Sequence, residues 1–100
     1  MNIERWNQFT LHQKLGNIGS EVASARLWEE KQNFVARNKA LERILEILDV
    51  ILAGELTESA RKELSRTKEI INAWYAGSPN FEYSPTLLEQ YFTQFVYLKS

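Results

Sequence analysis

The sequence predicts an all-α chain folded as an antiparallel up-and-down four-helix bundle. Three observations carry that prediction. Apolar residues recur at helical spacing in four separate segments, no segment alternates with period two over a useful length, and the connections are short and rich in turn residues. Each helix alone would be marginal in water, so packing has to hold them together.

The first helix is expected at about 8–30, on the spacing of Leu11, Leu15, Ile18, Val22 and Ala25. Lys31, Gln32 and Asn33 form a short turn. The second helix follows at about 34–53, with Leu41, Ile44, Leu45, Leu48, Ile51 and Leu52 as its stripe. Gly54 is expected to stop it, as a residue that tolerates positive φ. Thr57 is a good N-cap with Glu58 in the first turn. Ala60, Leu64, Ile71 and Trp74 then share a face, widened by Ile70 and Tyr75, to about residue 76. Gly77 and Pro79 end that helix. Ser84 before Pro85 marks the start of a fourth, with Leu88, Tyr91, Phe92 and Phe95 on its apolar face.

One hundred residues fit a single domain, 1–100, able to bury roughly 65% of its unfolded surface. The net charge of −1 gives no overall basic excess of the kind that nucleic-acid binders show. The absence of cysteine excludes disulfides, thiolate metal sites and cysteine nucleophiles, and fits a cytoplasmic location. The first residues lack the pattern of a signal peptide, and ILEILDVILA is too short to span a bilayer. No membrane role is expected.

Two features of the first helix ask for a reason. Gly16 and Gly19 each cost about 1 kcal/mol relative to alanine. On a wheel they cluster with Ser20 and Ala23 as a small-residue edge, which reads as a place of close approach for a helix or an aromatic ring. The alternative is a ligand or nucleic-acid backbone lying against them, as at the GxxG loop of KH domains. Eight of the twelve aromatics lie in the last third of the chain and are the expected filling.

Arg26 falls inside the buried arc of the first helix, and Arg37 in the middle of the second helix's arc. With Glu30 they should meet at one end of the bundle. A buried arginine needs a partner, and Glu30, Glu63 and Thr67 are candidates. The bland reading is an end-of-bundle ion-pair network. The sharper one is an anion or partner site at Arg26, Glu30 and Arg37, because two arginines with one carboxylate leave a guanidinium free for bidentate capture.

Catalytic signals are sparse. His12 is the single histidine, no Glu-x-x-His pair exists for a diiron site, and no phosphate loop, zinc-protease motif or G-x-S-x-G elbow occurs. No cofactor is expected. Six residues lie between Arg5 and His12, a spacing that resembles the Arg-x4–6-His motif of HEPN-type ribonucleases. In that family the histidine and arginine act on RNA. Arg61, Lys62, Arg66 and Lys68 in the third helix are interleaved with Glu58, Glu63 and Glu69, so they read as a solvated face.

The segments LGNIGSEVASARLWEEK and KALERILEILDVIL, with RTKEIINAWYAG and LLEQYFTQF, resemble a small prokaryotic helical family that has no established activity. In architecture the chain is also similar to the four-helix accessory proteins of diversity-generating retroelements and to S23-like bundles. That resemblance implies an oligomer, and for the accessory proteins nucleic-acid binding, which the near-neutral charge here does not favour. The function expected, from the excess of aromatics in the last third, is a non-enzymatic interaction module, docking on itself or on another protein; the alternative is an RNA-binding helical bundle, HEPN-like ribonuclease included. Tyr97 falls opposite Leu88 and Phe95 on the fourth helix, so Tyr91 and Tyr97 are the candidate interface aromatics.

Overall fold

The computed structural model describes residues 10–77 and 88–92. The chain is all-α, with no strand among the described residues. Helix α1 spans Leu11–Glu30, α2 spans Phe34–Leu52 and α3 spans Glu58–Tyr75. Residues 88–92 are helical as well.

Each start has a local chemical cause. Thr10 caps α1 in a reciprocal box. Its hydroxyl accepts from the Gln13 backbone N–H at 3.1 Å, and the Gln13 side chain accepts from the Thr10 N–H at 2.8 Å. The T-x-x-Q pattern of Thr10 and Gln13 thus sets the start of α1 later than periodicity alone implied. Asn33 caps α2 through the Ala36 N–H, and Thr57 caps α3 through the Ala60 N–H.

The ends differ from one another. At α1, Gln32 N–H donates to the Glu29 carbonyl and Asn33 N–H to the Trp28 carbonyl, both at 2.9 Å. This is the Schellman pattern, with Gln32 at φ +58° in the left-handed position that glycine normally takes. Gly77 takes that position after α3, at φ +70°. Gly54 does not, which corrects the expectation that it ends α2 through a positive φ. Arg61 closes α2 instead. Its guanidinium donates to the Leu52 carbonyl at 2.6 Å and to the Gly54 carbonyl at 2.9 Å.

Neighbouring helices pair in opposite directions. Glu29 meets Arg37 and Glu21 meets Arg43 between α1 and α2; Asp49 meets Lys68 and Glu42 meets Tyr75 between α2 and α3. The core collects Leu15, Ile18, Val22 and Ala25 from α1 and Leu41, Ile44, Ile47, Leu48 and Ile51 from α2. Leu64, Ile71 and Trp74 come from α3, with Leu88 and Phe92 closing over them. Most of the predicted stripe residues are buried, but Leu11 (41%) and Tyr75 (39%) are exposed, Leu45, Leu52, Ala60, Ile70 and Tyr91 are half-buried, and Phe95 lies outside the described residues. No described helix is long and apolar enough to cross a membrane.

Candidate functional site at the first helix turn

The tight turn at residues 31–33 brings the last turn of α1 beside the first turn of α2. Four large apolar side chains are left outside there: Leu27, Trp28, Phe34 and Val35, the last 70% exposed. Among the described residues only Leu11 and Tyr75 are other large hydrophobics of this exposure. The Lys31 ammonium lies 5.3 Å from the Trp28 ring centre, and the Arg37 guanidinium lies 5.0 Å from that of Phe34. Each ring thus has a cation beside it while part of its surface remains exposed. Single exposed hydrophobics are ordinary, but four within two helix turns of one connection form a candidate contact surface.

Behind this apolar tip lies the polar network that the sequence placed at one end. Arg37 is buried, as its position in the α2 arc implied. Its Nη1 donates to Glu29 Oε1 at 2.9 Å, and its Nε and Nη2 donate to Asn38 Oδ1 at 3.1 and 3.0 Å. Glu29 Oε1 also accepts from the Trp74 indole at 2.9 Å. Arg26 is only partly buried. It donates to Glu89 at 2.8 Å and to Glu30 at 3.0 Å. The Glu89 hydrogen bond and charge raise its pKa further above the usual arginine value.

Arg26 and Arg37 are thus held by different carboxylates. Arg26 pairs with Glu30, but Arg37 pairs with Glu29. The count of one carboxylate for two arginines is corrected to three, Glu29, Glu30 and Glu89, so both guanidinium groups are engaged. Glu63 and Thr67 do not serve Arg26 either. Glu63 accepts the Tyr91 hydroxyl, and Thr67 bonds back to the Glu63 carbonyl at 3.0 Å.

Gly16 and Gly19 are buried, while Ala23 is half-buried and Ser20 exposed. The small-residue edge is thus narrower than the wheel implied. The Ser20 hydroxyl turns back to the Gly16 carbonyl at 3.4 Å. Of the aromatics expected against this edge, Phe81, Tyr83, Phe95 and Tyr97 lie outside the described residues. Tyr91 is half-buried and packs edge-on against Phe92 at 4.9 Å. Burial, then its bond to Glu63, pushes its pKa up. Its candidate partner at an interface, Tyr97, lies outside the described residues. His12 is the half-buried second residue of α1. Arg5 lies outside the described residues. No group of His, Asp or Glu among the described residues is arranged to hold a metal.

A pocket of about 210 Å³ lies at the other end of the α1–α2 hairpin. Leu11, Val50, Ile51 and Leu56 line it, with Lys14 and Glu55 as its charged residues.

No family model, curated protein or solved structure matches this chain.

The tip residues are what periodicity overlooked, although a signal was present. At about 100° per residue, Leu27 falls opposite Ile18 and Val35 opposite Ile44. Both are large apolar residues on faces that the helices turn to water.

Proposed function

We propose that this protein is a small cytoplasmic, non-enzymatic interaction module, an antiparallel up-and-down four-helix bundle that works by docking its first helix turn. The fourth-helix placement is supported by residues 88–92, where Leu88 and Phe92 join the core while Glu89 reaches Arg26 and Tyr91 reaches Glu63. The observation that carries the functional reading is the exposed group Leu27, Trp28, Phe34 and Val35 on one rigid turn. Aromatic residues are enriched in the buried centres of protein interfaces, and Trp is a frequent hot spot. A ring held by a stacked cation loses little freedom on docking, which favours a pre-formed contact surface. Arg26 and Arg37 support the tip from behind, because each is already bonded to carboxylates.

The test is mass in solution across a wide concentration range, by light scattering. Wild type, the double variant Phe34→Asp/Val35→Asp and Arg26→Ala are compared, each checked for helical circular dichroism. Both aspartates fall in the first turn of α2, where a negative charge is favourable, so folding is retained. Complexes that persist in Arg26→Ala and vanish in the double variant support docking through the tip. Complexes indifferent to the double variant would remove the tip from the interface.

A further inference from the structure

The hairpin carries exposed apolar residues at its turn and, at the other end, a pocket of mixed apolar and charged lining. We infer that the tip of one copy docks in the Leu11–Val50–Ile51–Leu56 pocket of a second copy, giving head-to-tail self-association. This inference rests on the docking reading above and names its occupant.

Size is the first argument. A cavity of about 150 Å³ accepts benzene, whereas small-molecule sites run to about 300–1,000 Å³. The pocket, at about 210 Å³, suits one aromatic side chain. The tip offers two, Trp28 and Phe34.

Charge is the second. Lys31 makes no ion pair among the described residues; its ammonium lies over Trp28, beside the apolar group. Glu55 at the pocket likewise makes no ion pair among the described residues. The Lys31 ammonium at the tip and the Glu55 carboxylate at the pocket are of opposite charge and can pair across the contact, whereas Glu30 is already held by Arg26.

Topology is the third. Leu11 and Leu27 are separated by about 24 Å of helix, at about 1.5 Å per residue. A tip cannot reach the pocket of its own molecule. Two copies side by side in opposite directions would place each tip at the other's pocket and close as a dimer, whereas copies in line would leave a free tip and a free pocket and continue as a ring or an open chain.

Mixing experiments separate this arrangement from others. The tip variant is Phe34→Asp/Val35→Asp. The pocket variant is Leu11→Glu, at an exposed first-turn position that tolerates an acid. Sedimentation velocity is run on the full chain, wild type and both variants, with circular dichroism as the folding check. Wild type is expected to gain mass with concentration, and each variant alone to associate more than about tenfold more weakly. An equimolar mixture of the two variants should form a species of twice the monomer mass and nothing larger. In that mixture one good tip meets one good pocket.

A Leu11→Glu chain that associates like wild type, while the tip variant does not, overturns the pocket assignment and leaves the tip interface standing as a tip-to-tip contact. A wild type that stays at monomer mass overturns the self-docking inference. If that monomer also floats with vesicles of anionic lipid, and the tip variant does not, the tip is a membrane contact and the docking reading falls with it.

Discussion

The indole N–H of Trp74, near the end of α3, donates a 2.9 Å hydrogen bond to the Glu29 carboxylate near the end of α1. The same oxygen accepts from Arg37 of α2 at 2.9 Å, so one carboxylate joins three helices behind the exposed tip. Replacing it by alanine takes an acceptor from a buried indole and a buried guanidinium. Glu29→Ala should destabilise the fold by about 1–2 kcal/mol. The Glu29 side chain is 36% exposed, and that holds the figure below the cost of breaking a fully buried pair. Glu29→Gln keeps an oxygen acceptor and should lose less than half as much. Urea unfolding of the two variants reads the difference directly; equal midpoints in wild type and Glu29→Ala would show that the junction contributes nothing.

Gln32 occupies the left-handed region without being glycine. For an L-residue that conformation costs about 1–2 kcal/mol. Gln32→Gly relieves the strain, partly offset by the greater freedom of glycine in the unfolded chain. A net gain of about 0.5–1 kcal/mol is expected, or a rise in Tm of roughly 2–8 °C for a domain of this size. Gln32→Val, β-branched, should move Tm the other way. A glycine variant that melts below wild type would mean that the Gln32 side chain makes a stabilising contact larger than the backbone strain.

Fold class was legible because it depends on residues repeated many times. The stripe Leu41, Ile44, Leu48 and Ile51 allows only a helix with one buried face, and one odd residue does not erase it. The site was less legible because it depends on single side chains near helix ends. Arg37 was placed correctly in the core, since a wheel reports which face a residue shares. A wheel does not report which of two adjacent glutamates on the neighbouring helix will reach it, and Glu29 rather than Glu30 does. Glu89 was invisible as a partner for Arg26, being 63 residues away along the chain. Trp28 and Phe34 are exposed through their places on either side of a tight turn, and the aromatic-rich last third gives no hint of that. The left-handed Gln32 had no sequence signal at all, because glutamine is not a residue that turn chemistry selects there.

The end of α2 gives a paired prediction. A β-carbon added at Gly54 would meet only the Ile51 carbonyl oxygen, at an ordinary 3.5 Å, and the backbone there is not left-handed. Gly54→Ala should therefore be neutral or stabilising, by about 0.4–1 kcal/mol through the unfolded chain. Arg61→Ala removes both guanidinium bonds, one to the last carbonyl of α2 at Leu52 and one to the Gly54 carbonyl just beyond it, and should cost about 1 kcal/mol. Chemical denaturation of the two single variants and the double variant checks this. A Gly54→Ala loss larger than that of Arg61→Ala would reverse the assignment of what closes the helix.

Tyr91 gives a prediction for alkaline pH. Burial against Phe92, then the hydrogen bond from its hydroxyl to Glu63, favours the neutral phenol and raises its pKa above the ordinary value of 10.0. The unfolded chain binds fewer protons than the folded one once pH passes that ordinary value. Stability contributed by the neutral hydroxyl is thus full below about pH 10 and declines as pH rises above it. In Tyr91→Phe the ring packing persists while the ionisable group is gone. The variant should be somewhat less stable than wild type at neutral pH, through loss of the hydrogen bond, and its stability should fall less steeply with alkali. Spectrophotometric titration of the folded chain should show one of its four tyrosines ionising late, and that phase should be missing from Tyr91→Phe. A late phase that survives the substitution would assign the protected phenol to another tyrosine, and parallel alkaline stability curves would remove Tyr91 from the linkage.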